Sequence, residues 1–287
     1  MAHTATLPLM LKQLNLTSIA RHWQTLLETA EHNGWDGARY LSALCEQELA
    51  DRHSRRIARY SKDSLLPAGK SLASFDFGEV PAATRAQIQA LASADDWTRQ
   101  ARNVLLFGAS GVGKTHLAAA IGHGLTERNV RVRYANTTAL VQQLQLAREQ
   151  LRLEAALHTL DKYPLLILDD FGYVKKSQQE TQVLFELIAH RYERASLIIT
   201  ANQAFADWDQ IFPDQMMTVA AVDRLVHHAT IIEIGADSYR RKHALGQLGS
   251  APVMAHRSPP ATASASAAAL TLPAERAPSP SSSADSA

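Results

Sequence analysis

The stretch Leu105-Leu-Phe-Gly-Ala-Ser-Gly-Val-Gly-Lys-Thr-His-Leu-Ala118 sets a glycine-rich turn between an apolar run and a run of good helix formers. Gly108 to Thr115 fills the pattern G-x-x-x-x-G-K-[ST] completely, directly after a predicted strand and directly before a predicted helix. That context separates a phosphate-binding loop from a chance match. Glycines let the backbone curl so that successive N–H groups point at phosphate oxygens, and the following helix adds its positive end. Lys114 is expected to reach the β- and γ-phosphates and Thr115 to ligate Mg2+. The expected cradle comprises Gly108, Ala109, Ser110, Gly111, Val112, Gly113, Lys114, Thr115 and His116. The plain alternative is a glycine-rich turn with an exposed lysine.

Such a loop needs a second carboxylate on the magnesium side, at the end of a neighbouring buried strand. Leu165-Leu-Ile-Leu168 followed by Asp169-Asp170 supplies one. Asp169 is expected to hold the metal, directly or through water, and Asp170 to polarise an attacking water. Asp170 also fits a solvent-facing or helix-capping carboxylate. A further strand, Leu197-Ile-Ile-Thr200, leads into Ala201-Asn202, whose amide is placed to hold the water beside the γ-phosphate; a turn residue is the alternative.

Outward from these motifs, strand signals at Asn103–Phe107, Val130–Ala135, Leu165–Leu168, Leu197–Thr200 and Ile231–Ile234 alternate with helix-length segments. The alternation predicts an α/β fold: a central parallel sheet with helices on both faces, in three layers. This P-loop ATPase domain is expected over residues 102–248. Residues 1–65 read as a small all-α domain, with Leu41, Leu44, Cys45 and Leu49 at helical spacing. Residues 66–101 read as a linker with one helix, Ala82 to Ala92, and residues 249–287 as an Ala/Ser/Pro-rich disordered tail.

Composition limits the partners. The 287 residues carry 29 basic and 28 acidic side chains, a net charge of +1, so affinity for nucleic acid must come from local clusters. Cys45, the only cysteine, excludes an intrachain disulfide and a cysteine-rich zinc site and fits a reducing cytosol. With no long apolar run, the chain is expected to be soluble and cytoplasmic, without a membrane partner. Arg52, Arg55, Arg56 and Arg59 fall at i, i+3, i+4 and i+7 on one helix face and form a candidate DNA-phosphate stripe. A solvated face, or pairing with carboxylates of another subunit, explains the stripe equally well. Lys175 and Lys176, and Arg148 and Arg152 in what reads as a long helix, are further candidates. Trp23, Trp35 and Tyr40 read as core.

GASGVGKTHLAAAIG, LLILDDFG, LIITAN, AVDRLVHH and the closing DSYR resemble the IstB-like ATP-binding proteins of insertion sequences, relatives of the DnaC helicase loaders and DnaA initiators in the AAA+ class. The resemblance covers about Leu7 to Arg241. It implies an ATP-dependent helper of transposition that assembles as a homo-oligomer on duplex DNA with little sequence preference and recruits or stimulates its transposase. It assigns Asp169 to magnesium, Asp170 to water activation and Asn202 to γ-phosphate sensing. It also singles out Arg224 as an arginine presented to the neighbouring subunit's ATP, against an intrachain pair with Asp223 or Glu233. Arg240 could take the second sensor's role, although too few residues follow it for a full helical lid. Asp170 stands where many AAA+ proteins have Glu, which points to slow turnover. A helicase loader is the alternative reading. A P-loop kinase or GTPase is disfavoured because no N-K-x-D motif appears and the paired aspartates suit hydrolysis.

Overall fold

The three central strands are apolar on successive residues because both faces of the sheet are covered there. Leu165 and Ile167 point to one side and Leu166 and Leu168 to the other, and all four are fully buried. In the computed structural model, which describes residues 6–171, 177–202, 208 and 215–235, ten helices and five strands follow in chain order. Helices α1 (Leu7–Gln13), α2 (Thr17–His32), α3 (Gly37–Ser64), α4 (Ala82–Ser93) and α5 (Asp96–Arg99) precede β1 (Asn103–Gly108). Then come α6 (Lys114–Glu127), β2 (Val132–Asn136), α7 (Thr137–Glu149), α8 (Leu153–Leu160) and β3 (Leu165–Phe171). The series closes with α9 (Gln178–Arg191), β4 (Ser196–Ala201), α10 (Gln215–Val226) and β5 (Ala229–Ile234).

The sheet is parallel throughout, in the order β2-β3-β4-β1-β5. One face carries Leu105, Leu166, Leu168, Leu197 and Ile199 against side chains of α7 to α10. The other carries Val104, Leu106, Ile167, Ile198 and Ile232 against α4 and α6. All five predicted strands are present, and β3 runs on through Asp169 and Asp170 instead of stopping before them. The long helix expected around Arg148 and Arg152 is two helices. Leu151 takes a left-handed φ of 56° that ends α7, and α8 starts two residues later.

Helices α1 to α3 enclose a small core of Leu11, Ile19 and Leu44, with Trp23 and Tyr40 packed against it. The apolar spacing read on α3 does not describe its inward face. Leu41, Cys45 and Leu49 are exposed, and the positions that turn inward are Tyr40, Leu44 and Glu48, one every four residues. Glu48 replaces a capping side chain for α2, whose own N-cap residue Leu16 supplies none. One carboxylate oxygen accepts from the N–H groups of Ser18 at 2.7 Å and Ile19 at 3.2 Å, and the other from Arg52 Nε at 2.8 Å. The far half of α3 meets the sheet domain: Arg133 Nη1 donates to the Asp63 carbonyl at 3.0 Å, and the Arg131 guanidinium lies over Tyr60.

Burial pushes the Glu48 carboxyl up, but the hydrogen bonds from Arg52 and from the N–H groups of Ile19 and Ser18 outweigh it and hold it below the usual range. A depressed folded value means stability that is present above the unfolded value, about 4.3, and lost as pH falls below it. Replacing Glu48 with Ala should cost about 2–3 kcal/mol and lower Tm by roughly 5–10 °C at neutral pH. Glu48→Gln should cost less and flatten the acid limb of the Tm-against-pH curve. A Tm for Glu48→Ala equal to wild type would show that the cap is inert.

Candidate nucleotide-binding site

The loop between β1 and α6 is shaped by contacts that only glycine permits. Gly108 has φ 148°, and a Cβ there would lie 2.6 Å from the Ile234 carbonyl oxygen at the end of β5. Gly111 and Gly113 have φ 88° and 95°, and a Cβ on Gly113 would lie 2.5 Å from the Phe75 ring. Gly113 serves as the N-cap of α6, whose first turn has neither a side-chain cap nor an acidic residue, as suits a helix end that receives an anion. Ala109 and Ser110 are exposed, while Val112 is buried in the core and offers the loop only its backbone. Lys114 is buried, and its ammonium donates to the carbonyls of Gly108 at 2.8 Å and Ala109 at 2.7 Å, across the mouth of the loop.

Asp169 is the centre of the site. Only 3% exposed, its carboxylate accepts from three hydroxyls carried by three different elements. Thr115 Oγ1 of α6 lies at 2.9 Å and Thr200 Oγ1 of β4 at 2.6 Å from Oδ1, and the Tyr134 hydroxyl of β2 lies at 2.6 Å from Oδ2. Thr137 Oγ1 holds the Asp169 carbonyl at 2.8 Å. Burial, followed by the hydrogen bond to Asp169, raises the Tyr134 hydroxyl far above its usual range, so it stays a proton donor. The Thr115 hydroxyl and the Asp169 carboxylate are hard oxygen donors side by side at the mouth of an anion-binding loop, a donor set suited to Mg2+.

Asp170 faces outward because the backbone turns there. Its φ is 56°, the pairing of β3 with β4 shifts register between Leu168 and Phe171, and its N–H donates to Thr200 Oγ1 at 3.0 Å. Thr200 therefore fixes both aspartates, one through its proton and one through a lone pair. Asn202 follows β4 in a bend and is exposed. His116 turns away from the loop: its Nε2 lies 2.9 Å from the Ser71 carbonyl oxygen and 3.2 Å from Ser74 Oγ, with the ring edge-on to Phe75.

A family model for the IstB-like ATP binding protein matches residues 9–246. The chain belongs to this family. It is 51% identical over 272 residues to an insertion sequence ATP-binding protein of Sinorhizobium fredii, covering 95% of this chain and 89% of that one. It is 36% identical to the insertion sequence IS21 ATP-binding protein of Pseudomonas aeruginosa, over 82% of this chain and 89% of the relative. Among solved structures, the DnaC helicase loader aligns with a TM-score of 0.50 at 20% identity, over 61% of this chain and 98% of the loader. AMPPCP-bound DnaA from Aquifex aeolicus aligns with a TM-score of 0.50 at 19% identity, over 66% and 57% of the two chains. The sheet domain of this IstB-like protein thus has the AAA+ P-loop fold, and ATP is the family's ligand.

Arg224 lies in the last turn of α10. It donates to the Ala220 carbonyl at 2.9 Å and stacks over the Phe185 ring at 5.0 Å, and among the described residues it makes no ion pair with Asp223 or Glu233. The basic stripe on α3 is split. All four arginines are exposed, but Arg52 is tied to Glu48 and the Asn15 carbonyl and Arg55 to Thr17 and Glu48, whereas Arg59 lies over the Tyr60 ring and Arg56 stands between them. Arg148 pairs with Glu186 at 3.3 Å. Lys175, Lys176, Arg240 and the Ala/Ser/Pro-rich tail lie outside the described residues. No described helix is long and apolar enough to cross a membrane.

Three participants escaped the sequence reading. Thr200 was detectable as the polar residue that ends the apolar run Leu197-Ile-Ile of β4. Tyr134 and Phe75 belong to no motif, and only the strand register and the linker path bring them to the site. Gly108→Ala should abolish ATP binding while the sheet persists, because the loop must move away from Ile234. Tyr134→Phe should lower Mg2+-dependent affinity for a fluorescent ATP analogue about tenfold, as loss of a supporting partner of a metal ligand typically does. An unchanged metal dependence would make Tyr134 a packing residue only.

Proposed function

We propose that this protein is an ATP-hydrolysing helper of DNA transposition, which oligomerises on duplex DNA with nucleotide at its subunit interfaces and recruits or stimulates the transposase of its element. The observation that carries the reading is the Asp169 carboxylate, held by Thr115, Thr200 and Tyr134 beside a complete phosphate loop. Relatives named for insertion sequences support a transposition role over the helicase loader, whose likeness here is one of fold.

Bound Mg-ATP supplies the scissile phosphoanhydride and a cation that offsets charge on its oxygens. The chain does the rest. Gly108 to Thr115 present N–H groups and the helix end to the phosphates. Lys114 exchanges its two loop carbonyls for phosphate oxygens, and Thr115 with Asp169 offers the metal two hard oxygens. Asp170, turned outward by its left-handed backbone, takes the proton of an attacking water, and Asn202 positions that water from the end of β4. Arg224 serves the neighbouring subunit's site, stabilising charge on the transferring phosphoryl group. Arg56 and Arg59 bind DNA phosphates, joined by Lys175 and Lys176, and Arg240 contacts nucleotide. Arg52 and Arg55 belong to this surface while also bracing α2.

Turnover measured with and without random-sequence duplex should rise with DNA in wild type, while Asp170→Asn and Arg224→Ala each lose at least about 100-fold. Mixing the two variants should restore part of the activity, because an Arg224→Ala subunit keeps Asp170 and can borrow Arg224 from an Asp170→Asn neighbour. Recovery absent at every ratio would place Arg224 in its own subunit's chemistry or outside catalysis. Wild type that neither hydrolyses nor assembles with ATP would sink the reading.

DNA affinity should fall steeply with salt. Combined Arg56→Ala and Arg59→Ala should shallow the log–log salt slope by roughly 0.9 for each phosphate that the variant no longer neutralises. An unchanged slope would move the DNA surface elsewhere.

A further inference from the structure

A second cluster of chemistry lies at the opposite edge of the sheet. Asp161 follows α8 and precedes β3 by four residues, and His190 is in the last turn of α9, shortly before β4. Because the strands are parallel, this is the edge where they start, whereas the phosphate loop, Asp169 and Thr200 lie where they end. The nucleotide chemistry has no use for it.

His158 Nδ1 lies 3.0 Å from Asp161 Oδ2, and His190 Nε2 lies 2.9 and 3.1 Å from the two Asp161 oxygens. The two imidazoles meet edge-to-face, and one ligand atom from each of the three residues falls within 4.8 Å of the others. Two ligands about 2.0–2.1 Å from a tetrahedral zinc ion are about 3.3 Å apart, so the two histidine–Asp161 spacings need little adjustment, and the two ring nitrogens, within 4.8 Å, are near enough to close on one ion. Glu154 Oε1 lies 3.7 Å from His158 Nε2, the ring nitrogen turned away from Asp161. If His158 Nδ1 binds a metal through its lone pair, the neutral ring carries its proton on Nε2, the nitrogen on the Glu154 side. Metal-bound histidines usually have an outer hydrogen-bond partner on that nitrogen, and the exposed Glu154, at 3.7 Å, would have to move closer to become one.

Behind the cluster, the buried Arg191 guanidinium donates to the carbonyls of Leu160, Tyr163, Pro164 and Ser196, so its hydrogen bonds go to the two loops while its charge also acts on Asp161. His190 is mostly covered, while His158 is open to solvent, which leaves the ion a route in and a position for water.

We propose that His158, Asp161 and His190 form a structural site for a borderline divalent metal ion, Zn2+ or its like, which clamps the end of α8 to the end of α9. Two imidazoles and one carboxylate select such an ion over Mg2+. The ion stands outside ATP hydrolysis, and its test needs no turnover.

Nucleotide-free full-length protein in excess Mg2+, which saturates the oxygen ligands of the phosphate loop, is titrated with Co2+. A single ion per chain should bind with the visible bands of a low-coordinate histidine site, and Zn2+ should displace it. His158→Ala and His190→Ala should each weaken Co2+ binding by about 100-fold, at the upper end of what even outer partners contribute. Zn2+ should raise the Tm of wild type and leave that of His158→Ala unmoved. His158 is exposed, so its variant should fold, which circular dichroism checks. A double variant of His227 and His228, which flank the other histidine cluster with Glu193, should bind as wild type. The proposal falls if wild type takes up no Co2+, if His158→Ala and His190→Ala bind it unchanged, or if the His227/His228 variant loses it.

Discussion

A buried carboxylate has to be hydrogen-bonded, and the kind of donor decides what the carboxylate is free to do. Asp169 takes its hydrogen bonds from three neutral hydroxyls, and among the described residues no cation pairs with it. Its position is therefore fixed while its charge stays available to a metal ion. Glu48, the other buried carboxylate among the described residues, shows the opposite arrangement. Arg52 and two backbone N–H groups meet its charge, and its work is to hold α2 against α3. The two sites share a chemistry and differ in whether the negative charge is consumed.

The Asp169 arrangement depends on the parallel sheet. Buried on both faces, the strands carry apolar residues along most of their length and become polar where they emerge. Gly108, Asp169 with Asp170, and Thr200 all stand at that emergence, on β1, β3 and β4, which are adjacent in the sheet. Tyr134 arrives from β2, whose Asn136 is in register with Asp169. Sheet order alone brings four segments of distant sequence to one edge. The register shift between Leu168 and Phe171 then divides the labour of two adjacent aspartates, one turned inward and one outward.

Local sequence carried the fold well because its signals are local. Apolar strand runs, the glycine spacing and the helix that follows were readable, and the five strands fall within a few residues of their expected bounds. The misses share one physical cause, which is that the deciding contact is far away in sequence. No glycine or proline announces the break at Leu151. On α3, Leu41 and Leu49 look like core until α2 is seen to face Glu48 instead. Arg52 and Arg55 look free until Asn15, Thr17 and Glu48 claim them. Asp169 was found from its own strand, but its hydroxyl partners on β2 and β4 required the sheet order. His116, directly after the motif, turns to the linker, where Phe75 lies against Gly113 and segment 71–77 passes the start of α6.

Arg224 is best understood through what holds it. A guanidinium paired with a carboxylate of its own chain would give little attraction to a second anion. This one is braced by the Ala220 carbonyl and the face of Phe185, partners that orient the group without neutralising it. Near the end of α10, the cation is favoured by the negative end of the helix and by the π-face of Phe185, which offsets part of its desolvation. An oriented arginine with no carboxylate partner among the described residues is suited to an anion brought from outside the chain, and in the proposed assembly the phosphates of a nucleotide on an adjacent subunit meet that description. The same logic governs Asp169. In each case the partners among the described residues are neutral and set the geometry, so in the proposed assembly a fixed negative group, a metal and a fixed positive group would bear on one nucleotide.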